Sequence, residues 1–199
     1  HILLITQAIA SKADAVFFPE LSITGYEPEL ANELATTAND ERFTVFKQLA
    51  NDHDITIGIG LPVKNNGGIQ ISMAVYQPYH APQTYAKQYL HSSETPWFVN
   101  GSRQIFLSIK DAVVAPAICY ELNKPEHAEF AINNGAGMYI ACTVNSFNGV
   151  DKDINQLAAI AAKYNIPVLM SNCIGITGGY NCAGKTSAWN TEGNLLAQL

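Results

Sequence analysis

Long apolar runs are missing from this sequence. No stretch approaches the roughly 18 apolar residues that a helix needs to span a bilayer, so no membrane association is expected. The opening ILLITQAIA lacks a basic flank and a small-residue cleavage site, so it does not read as a signal peptide. Basic residues are scarce too: eleven Lys and Arg among 199 residues, scattered, with a formal net charge of −6. Without a basic stripe interleaved with aromatics, nucleic acid drops out as a partner. Cysteine is limited to positions 119, 142, 173 and 182, with no CxxC pair and no histidine at ligand spacing. A chain with 48% apolar residues needs no disulfides for stability, so reduced thiols in the cytoplasm are the expectation. HExxH, GxGxxG and GxSxG are absent as well. Metal, dinucleotide and serine-elbow chemistry therefore give way to other possibilities, and no metal or cofactor is expected.

What is present is an alternation of strand-like and helix-like segments. Apolar positions at 2, 3, 5, 9 and 10 predict a helix over 2–12 with one face turned inward. A short buried strand is expected over 15–18, stopped by Pro19, followed by a polar connection over 27–39. A helix is expected over 40–52 with Asp40 as its N-cap. ITIGIGLPVK, NNGG and IQISMAVYQ together read as a hairpin around an Asn/Gly turn. TYAKQYL reads as a further strand or its end, and HSSETPWFVNGS as a loop. IFLSIK and AVVAPAIC are strands joined by a turn at Lys110–Asp111. PEHAEFAINNGA is a helix with proline in its first turn and Gly135 near its C-cap. MYIACTV is a strand, KDINQLAAIAAKYN a long helix, IPVLMSNC a strand, GITGGYNCAGK a glycine-rich loop and TSAWNTEGNLLAQL a closing hairpin. Hairpins mixed with crossovers indicate sheets layered with helices rather than a purely parallel sheet.

Three polar residues occupy one kind of place. Glu20 follows AVFFP, Lys87 sits within TYAKQYL, and Cys119 closes AVVAPAI. Strand ends in layered α/β folds are where rigid elements hand side chains to a site. If they meet, a carboxylate can take a thiol proton, the thiolate can attack a carbonyl or nitrile carbon, and an ammonium can donate to the developing negative charge. A helix start just after Cys119 would lower its pKa and offer the Tyr120 N–H as a second donor. Each residue also has a structural alternative: Cys119 as a small core side chain, Glu20 as a surface acid, Lys87 as an edge gatekeeper, Glu121 as a capping-box or surface residue.

The motifs around these residues resemble those of the carbon–nitrogen hydrolase, or nitrilase, superfamily. FFPELSITGY (17–26) is similar to its glutamate motif, YAKQYL (85–90) to its lysine motif and ICYELNKPEHA (118–128) to its cysteine motif. The resemblance implies a catalytic set of Glu20, Lys87 and Cys119. ETPWFVNG (94–101) resembles the stretch that holds the family's second glutamate, which implies Glu94 as an orienting partner of the lysine. SNCIG (171–175) and GKTSAWNTEG (184–193) resemble the later strand and turn. Tyr89 stands where many members have histidine, and NKPEH lacks the usual Phe or Arg before Pro-Glu, so the pocket wall is expected to differ. The implied fold is a four-layer α-β-β-α sandwich. Members begin with a strand before the first helix and continue past the last turn. Residues 1–199 are therefore expected to be one domain that lacks some terminal elements.

The implied activity is hydrolysis of a small amide to acid and ammonia through a thioester. Nitrile and N-carbamoyl hydrolysis are the enzymatic alternatives, Arg103 being an unsupported candidate to read a carbamoyl group. A binding protein that keeps the fold is the non-catalytic one. Asn145, in TVNSF after a strand, is either a pocket residue or a turn former. The expected partner is a small-molecule substrate. A homodimer or higher homo-oligomer, with the helices at 125–135 and 152–165 as the candidate contacts, is a further implication.

Overall fold

The computed structural model describes residues 1–37 and 39–199. Two sheets lie face to face, each backed by helices. The first sheet has the order β1 (Ala15–Phe17), β2 (Thr56–Asn65), β3 (Gly68–Tyr76), β4 (Gln83–Ala86). β1 runs parallel to β2, and the other pairs are antiparallel. Asn65 pairs with Gly68, so the Asn/Gly turn closes the hairpin as its residues demand. The second sheet is built from β5 (Leu107–Ile109), β6 (Ala112–Ile118), β7 (Met138–Thr143), β8 (Val168–Asn172), β11 (Ser187–Trp189) and β12 (Leu195–Gln198). Its order is β12-β11-β8-β7-β6-β5, with a parallel centre of β6, β7 and β8. Pro116 is tolerated in β6 because β5 pairs only with Ala112–Val114. At Pro116 that edge is open, no ladder N–H is needed there, and the Gln104 side chain donates to Pro116 O at 2.7 Å.

Three apolar clusters fill the gaps between layers. Ile5, Phe43, Phe46 and Ala50, from α1 (Ile2–Ala10), the turn before α3 and α3 itself (Thr44–His53), pack on Ile57, Ile59 and Leu61 of β2. Ile71, Met73 and Val75 of the first sheet meet Leu107, Val114, Ile118 and Ile140 of the second. Beyond the second sheet, Ala128 and Ala131 of α4 (Pro125–Asn133) and Leu157, Ile160 and Ala161 of α5 (Val150–Tyr164) cover Ala115, Ala117, Tyr139 and Ala141. The layer order is α-β-β-α, as the sequence led one to expect. Among the described residues no helix is long and apolar enough to cross a membrane.

Several local expectations change. The helix at the start buries only Ile5, while Ile2, Leu3 and Leu4 are 44, 72 and 53% exposed, because α1 touches the sheet along a narrower stripe than its apolar pattern suggests. The connection expected over 27–39 includes Ala38, which lies outside the described residues. It carries a 3-10 turn at Pro28–Leu30 and the short α2 (Ala31–Leu34). Asp40 does cap, but it caps a 3-10 turn over Glu41–Phe43 by accepting from Arg42 N at 3.0 Å, and α3 starts only at Thr44. The glycine-rich stretch is not a loop. It forms a two-stranded hairpin of β9 (Ile174–Thr177) and β10 (Tyr180–Ala183), with Thr177 paired to Tyr180 around Gly178–Gly179. Two glycines between β-compatible residues permit the tight turn.

Candidate active site

Lys87 is the first residue after β4, and its N–H donates to Ile71 O at 2.9 Å, which fixes where the side chain leaves the sheet. The ammonium is fully buried and donates to Glu20 Oε1 and to Glu94 Oε1, each at 2.7 Å. A lone buried ammonium would shed its proton; two carboxylates in contact prevent that. Burial pulls its pKa down, but Glu20, Cys119 and Glu94 outweigh it and hold Lys87 above its ordinary value. Two of its three N–H groups are taken up by these carboxylates, which leaves one to meet an incoming group.

Glu20 follows β1 where the chain crosses Gly60 of β2. A Cβ at Gly60 would collide with Pro19 O and Leu21 N, so only glycine lets the loop lie this close. Oε2 of Glu20 is buried and meets no donor at full hydrogen-bond geometry. The Cys119 thiol acts on this carboxylate only as a weak, imperfectly placed donor. Burial raises the Glu20 pKa, Lys87 opposes it, and Glu94 adds to the rise; the outcome is about 7. Tyr26 OH donates to the same Glu94 Oε1 that Lys87 meets, at 2.9 Å, and His91 N holds the other oxygen, Oε2, at 2.7 Å.

Cys119 directly follows β6 with φ of 47°, a left-handed backbone that a side-chain-bearing residue adopts only under constraint. It opens a 3-10 turn over Cys119–Asn123, and the α-helix begins only at Pro125. The expected depression of its pKa by a helix start is therefore not found. Burial and the Glu20 charge push the thiol well above its ordinary value, against smaller opposing effects of Lys87 and the Val144 N–H. At neutral pH Cys119 rests as a thiol.

Cys119, Glu94, Tyr120 and Asn145 share the wall of a cavity of about 250 Å³, together with Tyr26, His91 and Tyr180. The Tyr120 ring lies against His91, with centroids 5.2 Å apart, and under the Lys124 ammonium at 4.9 Å. Asn145 is clamped: its N–H donates to Asn172 Oδ1 at 2.8 Å and its side-chain amide to Asp153 Oδ2 at 2.9 Å. It belongs to the cavity wall, and β10 adds Tyr180, which the glycine-rich reading had not anticipated. Arg103 lines other cavities, one of them beside Gln88 and Phe130 and another beside Gln70 and Thr84. Among the described residues no three His, Cys, Asp or Glu side chains form a metal-holding group.

Glu121 is neither a surface acid nor a simple cap. It is completely buried and accepts from Ile118 N at 2.7 Å, Tyr85 OH at 2.7 Å, Gln88 N at 2.5 Å and Tyr89 N at 3.3 Å. Half of the capping box is there, in the Ile118 bond. Burial lifts Glu121 to about 7 against these donors. His127, also buried, touches Tyr85 OH through Nε2 at 2.7 Å and Tyr139 OH through Nδ1 at 2.8 Å. Burial lowers its pKa to about 4, so it is neutral near pH 7. One proton arrangement satisfies all three contacts: Tyr139 OH donates to Nδ1, Nε2–H donates to the Tyr85 oxygen, and Tyr85 OH donates to Glu121. Sequence spacing carried no sign of this chain, nor of the Tyr26–Glu94 bond.

This site lies on a fold that known structures share. A carbon–nitrogen hydrolase superfamily protein from Xanthomonas campestris, solved with an arsenic adduct in its active site, superposes with a TM-score of 0.90 at 18% identity, over 99% of this chain and 77% of that one. An amidase from Nesterenkonia sp. gives a TM-score of 0.87 at 22% identity, over 98% and 76%. In sequence, the hydrolase in the agr operon of Staphylococcus aureus is 25% identical over 195 residues, which is 95% of this chain and 75% of that protein. The carbon-nitrogen hydrolase family model matches residues 1–199, and the chain belongs to that family.

Proposed function

We propose that this chain is a thiol amidohydrolase that converts a small amide to its acid and ammonia, with residues 1–199 working as one domain. The observation that carries this reading is the buried Lys87 ammonium, 2.7 Å from both Glu20 and Glu94, with the charges of Glu20 and Lys87 both acting on the Cys119 thiol, which shares a cavity wall with Glu94. Because Cys119 rests as a thiol, the thiolate forms only as Glu20 takes its proton. With a pKa of about 7, Glu20 is matched to that exchange near neutral pH. The sulfur adds to the amide carbon, and the oxyanion meets the free Lys87 N–H and the Tyr120 N–H. Glu20 passes its proton to the departing ammonia, and a thioester remains. Water gives a proton to Glu20 and attacks the thioester, and the acid leaves as Cys119 regains its proton.

A variant of the Nesterenkonia amidase shows covalent addition of the acetamide moiety of fluoroacetamide at its active-site cysteine, so the thiol of that protein is a nucleophile, which supports the same role for Cys119. Ammonia release from a panel of amides, nitriles and carbamoyl compounds tests the reading. The expected result is ammonia from at least one small amide and none from Cys119→Ala. Ammonia from nitriles alone, or equal release from the variant, overturns it. Pairing of two copies through α4 and α5 belongs to the same proposal; Phe130, 54% exposed on α4, is an apolar side chain it would cover. Sedimentation of wild type against Phe130→Glu tests that part.

A further inference from the structure

Two thiols that the proposed reaction does not use lie on the hairpin beside the pocket. Cys173 lies between β8 and β9, and Cys182 lies within β10. The hairpin register sets Cys182 opposite Gly175. One step further the Gly184 N–H donates to Cys173 O at 2.9 Å, so Gly184 stands opposite Cys173. Each cysteine faces a glycine, and neither glycine puts a side chain between the sulfurs. The two are diagonal neighbours on one face of the hairpin, within reach of each other. Burial, and after it the neighbouring Cys182 thiol, push the Cys173 pKa up. Cys173 is half-buried and open to a reagent, whereas Cys182 is 3% exposed. All four cysteines of the chain are free.

The hairpin that carries them is part of the pocket wall. Tyr180 of β10 lines the cavity with Cys119. The Ala183 N–H donates to Asn145 O at 2.9 Å, and Ser146 forms a bridge with Cys182. On the other side, Thr177 Oγ1 accepts from Tyr26 N at 2.7 Å and Glu27 Oε1 from Gly178 N at 2.8 Å.

We propose that Cys173 and Cys182 are a dithiol modification site, which a small-molecule disulfide closes to an intrachain bridge that restrains this hairpin. Access sets the order. Cys173 gives up its proton, attacks the small disulfide and forms a mixed disulfide, releasing one small thiol. Cys182 then attacks the Cys173 sulfur, loses its proton and expels the second small thiol. Two protein thiols are oxidised, one small disulfide is reduced to two thiols, and both protons end on those thiols. Bridged cysteines have Cα atoms roughly 4.4–6.8 Å apart, while diagonal cross-strand neighbours lie at roughly 7–8 Å, so closure draws β9 and β10 together.

The test is treatment of the folded protein with oxidised glutathione, followed by alkylation, peptide mapping and amide hydrogen exchange. It is run on wild type and on Cys119→Ala, so that the proposed nucleophile cannot account for the reagent consumed. The expected result is a chain two hydrogens lighter, with the Cys173 and Cys182 peptides joined. Cys182→Ser should stop at a stable glutathione adduct on Cys173, and Cys173→Ser should give no bridge. Exchange across 174–183 should slow several-fold in the bridged protein and recover with dithiothreitol. Glutathione that stays on Cys173 of the wild type, or the absence of any cross-link, overturns the site. A bridge that leaves exchange unchanged overturns the restraint. Neither readout depends on the chain hydrolysing an amide.

Discussion

The Glu121 carboxylate accepts the backbone N–H of Gln88 at 2.5 Å, joining the turn that begins at Cys119 to the residue after Lys87. The same carboxylate holds Ile118 N, on the other side of Cys119, at 2.7 Å. One buried side chain thus sets the distance between two segments far apart in sequence. Glu121→Gln keeps the size but leaves a single oxygen for these donors and turns an NH₂ toward others. A buried donor left unsatisfied costs about 1–3 kcal/mol, so we expect a loss of that size in urea denaturation, with a fall in turnover as the two turns drift. Unchanged stability would show that the four contacts are dispensable.

Lys87→Ala should do two separable things. Loss of one preorganised oxyanion donor lowers kcat by about 10²–10³-fold. Loss of the partner of Glu20 and Glu94 leaves buried carboxylates uncompensated, and breaking such pairs costs about 3–5 kcal/mol. Lys87→Met fills the volume, so its stability loss should be smaller while its rate loss is as large. Steady-state kinetics beside thermal melts distinguishes these.

Glu20 must be ionised to take the Cys119 proton, and its pKa is about 7. The rate should therefore rise with pH through about 7 and level off above it. Cys119→Ser retains a base that titrates in the same place, so any residual activity should keep this acid limb. A pH–rate profile flat from 5 to 8 would remove Glu20 from the role of base.

Stability should depend on pH through Glu121 with a definite sign. Its folded pKa, about 7, exceeds the ordinary value of 4.5, so between these the folded chain binds the proton more tightly than the unfolded one. Stability from this group is greatest below the ordinary value and falls as pH rises toward 7. His127, lowered from 6.5 to about 4, acts in the opposite direction, adding stability as pH rises between those values. Comparing wild type with Glu121→Gln isolates the carboxyl: from pH 5 to pH 7.5 wild type should lose stability relative to the variant in chemical denaturation.

Gly60→Ala places a methyl group against Pro19 O and Leu21 N, the backbone on either side of Glu20. Backbone has no rotamer to move, so the loop must shift. We expect overpacking of about 1–3 kcal/mol and a large fall in kcat from displaced Glu20. A fully active, equally stable variant would mean the loop position does not matter.

Much of this was legible in the chain itself. The Asn/Gly turn at 65–68 and the two-residue turn at Lys110–Asp111 were readable because such turns depend on local backbone freedom. So were the strands and helices, whose apolar periods of two and near four are local patterns. The Gly178–Gly179 turn had the same signal, and reading it as loosely coiled overlooked the flanking Thr177 and Tyr180. Burial was less readable. Glu121 and Glu126 are equivalent as letters, yet one is enclosed by four donors and the other is exposed at a helix start.

The sequence by itself determined the alternation of elements, the identity of Glu20, Lys87, Glu94 and Cys119 as residues at strand ends and loops, and the family to which their motifs belong. Only the tertiary structure decided that Lys87 lies between two carboxylates, that Cys119 is half-buried on the wall of a cavity, and that Tyr26, Glu121 and the β9–β10 hairpin join the site. The reason is physical. Local pattern fixes backbone conformation over a few residues, whereas contact between side chains 67 positions apart, as in Lys87 and Glu20, exists only once the strands β1 to β4 that carry them have assembled into one sheet.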